Sequence, residues 1–440
     1  MKFTLPENAF PELHLSKEHE EKFTEETENV VRDTLAANKA FLADNATFRD
    51  PKWKLVRTKD GLNVYYHQRT PTKSPATSKV PHRKNFFLPV LLNASQAIDP
   101  SRASSTGEID TDLAASLSAS AVDEKMRRPE GFQMVLHGTV DGNLDDAMFG
   151  AIATTNQAWM WRSSHINDHL DDARVLATLR SPTEQDPFRF LGIKWFVKER
   201  RVVLTGIVQQ RDYLVLEATG LARDSNGERV GYFLMHSISL PRMVPELSEL
   251  GLLRGDLSIC YIHRQCGRGK VEIFCRCFSN PRGKIVDWAA VVITADSLIC
   301  AARIVDYAYI KKLTWLIKRK GGQSTSSEQR TRSHRPKQCD TCNKVFTIFT
   351  LSTAASGVTC QICRRVLCGR CSVVKKMTVD VSDTGAVKQC ALRFCLDCLR
   401  EAKEQSAWEI ARTGLKTSSD TLSTSTLNTN SRGRAPGITS

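Results

Sequence analysis

This 440-residue chain lacks the signatures by which most enzymes can be read from sequence. It contains no Gly-x-x-x-x-Gly-Lys phosphate loop, no Gly-x-Ser-x-Gly elbow, no His-Glu-x-x-His pair and no paired-carboxylate constellation. Nucleotide hydrolysis, serine hydrolysis and zinc peptidase chemistry thereby lose their usual carriers. We expect a binding protein and not an enzyme. His165 and His169, four apart beside Asp168 and Asp171, come nearest to a metal pair, but the turn-rich RSSHINDHLDDARV around them reads as solvated surface. An uninterrupted apolar run of about 20 residues, as a bilayer requires, is also missing, because Asp296, Arg303 and Asp306 break the stretch from Trp288 to Ile310. Pro6 and Glu7 stand where a secretory leader would need an apolar core. Both absences lead us to expect a cytoplasmic protein. Residues 1–310 have no charge excess; the net charge of +14 lies wholly from Lys311 onward.

What is present begins with a composition of 41% hydrophobic and 25% charged residues, enough for two or three domains. Residues 16–45 place Phe23, Val30, Val31, Leu35, Phe41 and Leu42 at helical spacing, and WKLVRTKDGLNVYYHQR alternates like a hairpin around Lys59-Asp60-Gly61. Residues 71–128 turn rich in Ser, Thr, Ala and Pro and read as a low-complexity insertion. From Gly131 onward, strand-like segments joined at Asn226-Gly227 and Arg268-Gly269 predict an antiparallel sheet. The helix ending in LTWLIK must bury Ile299, Ile304, Val305, Tyr309, Leu313 and Leu316, and the concave face of that sheet is the surface available. The fold class expected is α+β, a helix-grip antiparallel sheet.

Residues 15–317 resemble a START-type lipid-binding domain. PTEQDPFRFLGIKWFV, RDYLVLEATG and GERVGYFLMHSISLP are similar to segments of the START-like oomycete proteins that carry a C-terminal FYVE-type finger. The resemblance implies an apolar tunnel for one lipid, sterol or other hydrophobic molecule, although composition alone does not separate a tunnel from a packed core.

Nine of the fourteen cysteines lie between Cys339 and Cys398. The other five, Cys260, Cys266, Cys275, Cys277 and Cys300, sit in apolar text and read as small reduced hydrophobes. Cys339/Cys342, Cys360/Cys363, Cys368/Cys371 and Cys395/Cys398 form four CxxC pairs, the donor set of two tetrahedral Zn²⁺ ions. Only four residues separate the middle pairs, which favours a cross-brace. Cys339, Cys342, Cys368 and Cys371 are expected on one ion, and Cys360, Cys363, Cys395 and Cys398 on the other. Cys390 is spare, or a substitute for Cys395. A RING or PHD finger would use a histidine, and none follows His334.

TCQICRRVLCGRCS followed by LRFCLDC resembles a FYVE-type finger, with Arg393-Phe394-Cys395 in place of its Arg-Val-Cys and Phe346 as its aromatic. The resemblance implies phosphatidylinositol 3-phosphate recognition, yet Val358, Thr359 and Gln361 stand where the family has its histidines and an arginine, and HRPKQ replaces the family's Trp-x-x-Asp. Arg393, with Arg364 and Arg365, is left as a weak contact for a phosphoinositide or anionic lipid. Ile348, Phe349 and Leu351 lie between the first two pairs, either as a membrane-facing loop or as the small core of the finger. Nucleic acid is a poor partner, since no recognition helix or aromatic platform accompanies the charge. The domain plan is then a START-like body at 15–317, a basic linker at 318–336, the finger at 337–403 and a disordered tail at 411–440. It describes a cytoplasmic lipid binder, peripheral on endosomal membranes through the finger, or else a protein–protein adaptor with a packed body and an unknown protein partner.

Overall fold

The computed structural model describes residues 3–6, 9–68, 131–199, 208–321, 338–346, 359–382 and 386–416. The expected insertion at 71–128, most of the linker, the loop with Ile348, Phe349 and Leu351, Val358 and the tail beyond 416 lie outside the described residues.

Helix α1 (Lys17–Ala43) starts where Ser16 accepts a hydrogen bond from the His19 amide, and its face with Phe23, Val30, Val31 and Phe41 is buried. Strands β1 (Trp53–Lys59) and β2 (Leu62–His67) form the expected hairpin. Its turn puts Asp60 and Gly61 at φ 50° and 83°, and a Cβ on Gly61 would sit 2.4 Å from the Thr139 carbonyl oxygen. Next come β3 (Phe132–Asp141), α2 (Leu144–Ala151), α3 (Asn156–Ile166), β4 (Leu170–Arg180), β5 (Phe190–Lys198), β6 (Gln210–Arg223) and β7 (Arg229–Ser237). The body closes with β8 (Leu252–Arg254), β9 (Asp256–Gln265), β10 (Lys270–Asn280), α4 (Asp287–Leu298), a 3-10 turn Ile299–Arg303 and α5 (Ile304–Gly321).

One ten-stranded sheet runs β1-β2-β3-β10-β9-β7-β6-β5-β4, with β8 pairing parallel to β6 and every other pair antiparallel. This is the expected α+β architecture. Both faces are covered. Phe23, Val30 and Val31 of α1 pack with Ile193, Trp195, Leu214 and Leu216 on one side. The helices α2 to α5 cover the other side, where Leu62, Met134, Leu136 and Ile273 meet Ala295, Leu298 and Ile304. Two-sided cover explains why β5 and β6 read as near-continuous apolar runs.

The last body helix departs from expectation. Only its first part faces the sheet. Ile310, Leu313 and Leu316 of α5 are buried instead against Ile362, Leu367, Met377 and Phe394 of the cysteine-rich region. The run Asp287–Lys320 has, by length and composition, what a membrane span needs, contrary to the sequence estimate, and half of its most apolar window is buried in this fold.

Strands β11 (Ser372–Val381) and β12 (Val387–Cys395), helix α6 (Leu396–Glu404) and a helix α7 over 407–416 complete the chain. The finger is packed on the body, not hung from it. Ser164 and Thr378 share a hydroxyl contact of 2.8 Å, Tyr309 donates to the Leu399 carbonyl at 2.8 Å, and Lys320 pairs with Glu401 at 2.7 Å. Helix α7 then returns to the body, with Ala407 and Ile410 buried beside Leu144, Met148 and Phe188, and with Trp408 edge-on to Phe188 at 5.4 Å. The start of the expected disordered tail, 411–416, is therefore helical, because this apolar stripe has a surface to cover.

Candidate ligand chamber and metal centres

Alternation on β9 points Leu257, Ile259, Tyr261 and His263 toward the α4 side of the sheet. With Phe196, Tyr213, Phe233 and Met235 from the neighbouring strands they form the floor of a cavity of about 120 Å³. Ser297 of α4, Cys300 and Ala301 of the 3-10 turn and Ile304 of α5 form its roof. Ile166 and Cys300 also belong to the cluster that holds the finger, so the roof of the chamber and the seat of the finger share side chains.

Beside the chamber lies a buried ionic triad that the sequence reading missed. Lys194 and Glu217 are 0% exposed and pair at 2.6 Å, and Arg162 of α3 reaches the other Glu217 oxygen at 3.1 Å. Lys194 also donates to the Ala153 carbonyl at 2.6 Å and lies over the Trp159 and Phe190 rings. Burial opposes ionisation of Glu217, but the two cations win and hold its carboxyl below the usual range. Burial brings Lys194 down to about 8, with Glu217 resisting. A lysine inside the apolar FLGIKWFVK was the available signal, since a fully buried lysine requires a partner.

The cysteines gather into two tetrads, Cys339/Cys342/Cys368/Cys371 and Cys360/Cys363/Cys395/Cys398, with all sulfurs of each set within 4.8 Å of one another. This is the cross-brace expected from the spacing. Cys342 and Cys368 sulfurs stand 3.6 Å apart, and those of Cys363 and Cys395 stand 3.7 Å apart. A disulfide needs about 2.0 Å, whereas a tetrahedron with metal–sulfur bonds of about 2.3 Å has edges of about 3.8 Å. The donor sets thus fit a tetrahedral thiophilic ion. The Cys398 thiol donates to Cys360, bringing Cys360 down to about 4, while Cys398 itself is driven up. Hydrogen bonds to Cys342 and Cys368 push Cys371 up to about 12. Four adjacent thiols can all ionise only if a cation shares their centre.

Backbone geometry supports the knuckles. Asn343 and Arg364, each directly after a CxxC pair, take φ of 54° and 61°. The amides of Cys395 and Cys398 donate to the sulfurs of Cys360 and Cys395 at 3.4 and 3.3 Å. Cys390 sits opposite Met377 on the hairpin, outside both tetrads. Of the five isolated cysteines, Cys266 is exposed and the other four are buried.

The backbone that carries Arg364 and Arg365 meets that of Arg393, since the Gln361 amide donates to the Arg393 carbonyl at 2.9 Å. Their side chains have local duties. Arg365 pairs with Asp397 at 3.0 Å, Arg393 donates to the Ser372 hydroxyl at 2.6 Å, and Arg364 reaches the Gln361 amide oxygen at 3.4 Å. His165 and His169 do not form a metal pair: α3 ends at Ile166, with Asn167 left-handed at φ 64°. His165 instead accepts from the Thr378 amide at 3.2 Å, placing it at the finger interface and not on solvated surface.

No protein-family model matches the sequence, and no curated protein matches it. Solved structures similar in fold include human STARD10, 10% identical over 64% of this chain and 81% of that one, with a TM-score of 0.35. Human StAR-related lipid transfer protein 5 is 10% identical over 63% of this chain and 96% of its own, with a TM-score of 0.36. The STAR-related lipid transfer protein from Xanthomonas axonopodis is 10% identical over 58% and 96%, with a TM-score of 0.32.

Proposed function

We propose that this chain is a non-enzymatic, START-like binding protein that holds a hydrophobic molecule or lipid moiety in the chamber. The carrying observation is a cavity between an aromatic-rich sheet face and a helical roof. An apolar ligand there recovers about 25 cal/mol per Å² of buried surface. The C-terminal region is in this reading a FYVE-type finger that carries Zn²⁺ in both tetrads, within a protein of the oomycete type resembled by the sequence. With the family's histidines absent and Arg365 and Arg393 engaged locally, the finger contacts an anionic membrane or a protein without reading one head group. Its site of work is then the cytoplasm, peripheral on endosomal membranes, with nucleic acid no part of its business.

The second reading is a protein–protein adaptor with a packed body. It draws on chamber size, since pockets for drug-sized ligands span about 300–1,000 Å³. Mass spectrometry of organic extracts from the purified full chain separates the two. A stoichiometric co-purified molecule supports the chamber reading; an empty protein that takes up nothing from liposomes leaves the adaptor. Flotation with liposomes, with and without phosphatidylinositol 3-phosphate, tests the finger, and equal binding to both is the expected result.

A further inference from the structure

The chamber wall carries a fully buried polar group whose hydrogen-bonding capacity is unused. His263 is 1% exposed and lines the cavity, and neither ring nitrogen has a hydrogen-bond partner. Three neighbouring polar groups are engaged elsewhere. Arg162 is taken by Glu217, Asp168 pairs with Lys198, and the Tyr261 hydroxyl donates to the Leu298 carbonyl at 3.0 Å. Burial brings His263 down to about 4, so near neutral pH the ring is uncharged, with one nitrogen that donates and one that accepts.

Size supplies an independent constraint. An apolar cavity of about 150 Å³ accepts one benzene, and this chamber measures about 120 Å³. Its interior is on the scale of one ring, and a whole sterol or phospholipid would have to extend beyond it. Charge is excluded as well, because the ions nearby are already paired and an unpaired buried charge is costly. A hydroxyl is the smallest group able to donate to the bare nitrogen of His263 or accept from its N–H.

We propose that the chamber binds a compact, uncharged alcohol of about one ring's volume, its hydroxyl hydrogen-bonded to His263 and its ring against Tyr261 and Phe233. This assignment rests on the chamber reading above and narrows its ligand class. Titration calorimetry on the full-length, zinc-loaded protein with phenol, cyclohexanol and benzene tests it. Both alcohols should bind at least tenfold more tightly than benzene, equivalent to about 1.4 kcal/mol. His263→Leu should erase that preference, and His263→Gln, which keeps a donor and an acceptor, should restore part of it. In wild-type protein, where no variant can misfold, the ¹⁵N resonances of His263 should shift with phenol and not with benzene.

Equal binding of phenol and benzene, or silent His263 resonances, would overturn the alcohol assignment and leave the chamber reading standing. Uptake of intact sterol or phospholipid that phenol does not displace would overturn the size class. If none of the probes binds and no lipid is taken up, the chamber reading fails as well.

Discussion

At the scale of single residues, the most exacting position is Glu217, which balances two buried cations. Removing one partner of a buried pair typically costs about 3–5 kcal/mol, because the uncompensated charge stays inside. Glu217→Ala should therefore lower the urea-derived stability by that order; a change under about 1 kcal/mol would mean that the triad is not closed in solution. His263 contributes a second, pH-dependent effect. Its folded-state pKa of about 4 lies below the ordinary histidine value of 6.5, so the unfolded chain binds the extra proton. The stabilisation is complete above pH 6.5 and falls away as the pH drops toward 4. Denaturation midpoints should decline across that window, and more steeply in wild type than in His263→Leu, which has no ring to protonate. Parallel profiles for the two proteins would refute the burial of His263. Cysteine protonation also acts at low pH, which is why the difference between the two profiles is the relevant quantity.

At the scale of elements, the crossing of α2 over α5 sets the position of the roof. A Cβ on Gly150 would lie 2.0 Å from the Ile304 carbonyl oxygen, closer than real Cβ atoms come. Gly150→Ala must push α5 away, and overpacking of this kind costs about 1–3 kcal/mol. Its thermal midpoint should fall despite the better helix propensity of alanine; a rise would show that the helices cross more loosely. Several elements were legible beforehand. The helical spacing of Phe23, Val30, Val31, Leu35, Phe41 and Leu42 marked α1, Lys59-Asp60-Gly61 marked a hairpin, and four CxxC pairs with a short middle gap marked the cross-brace. The destination of apolar faces was not legible. Ile310, Leu313 and Leu316 announce burial, but periodicity is the same whether a sheet or a finger covers them. Likewise, alternation on β9 sets His263 on the same face as Tyr261, while its seclusion depends on helical cover that the strand pattern does not encode. The stripe of α7 was missed because Ala407, Trp408 and Ile410 are few and precede a Ser/Thr-rich tail.

At the scale of the whole molecule, the finger and the body behave as one packed unit, and metal removal should reveal this. Cys360, Cys395 and Cys398 belong to the same buried cluster as Ile310, Leu313 and Leu316. If the ions proposed for the two tetrads are removed, sulfurs held within 4.8 Å lose the charge that would unite them, and structural zinc sites contribute about 10–16 kcal/mol of apparent binding free energy that is also folding free energy. The partners of α5 on that side then disperse, exposing apolar side chains whose burial is worth about 1.5–3 kcal/mol each. Hydrogen exchange followed by mass spectrometry should show residues 304–316 losing protection on chelation, together with β11 and β12. Strand β10, seated between β3 and β9, should stay protected. Cys360→Ser with Cys395→Ser should reproduce that pattern without a chelator. A tethered, independent finger would respond differently: β11 and β12 would exchange while 304–316 kept its protection. Because Cys300 and Ile166 touch both the cluster and the chamber, the packed arrangement carries one more consequence. Metal loss should loosen the roof and speed release of a chamber ligand, whereas a finger that only tethers would leave the release rate unchanged.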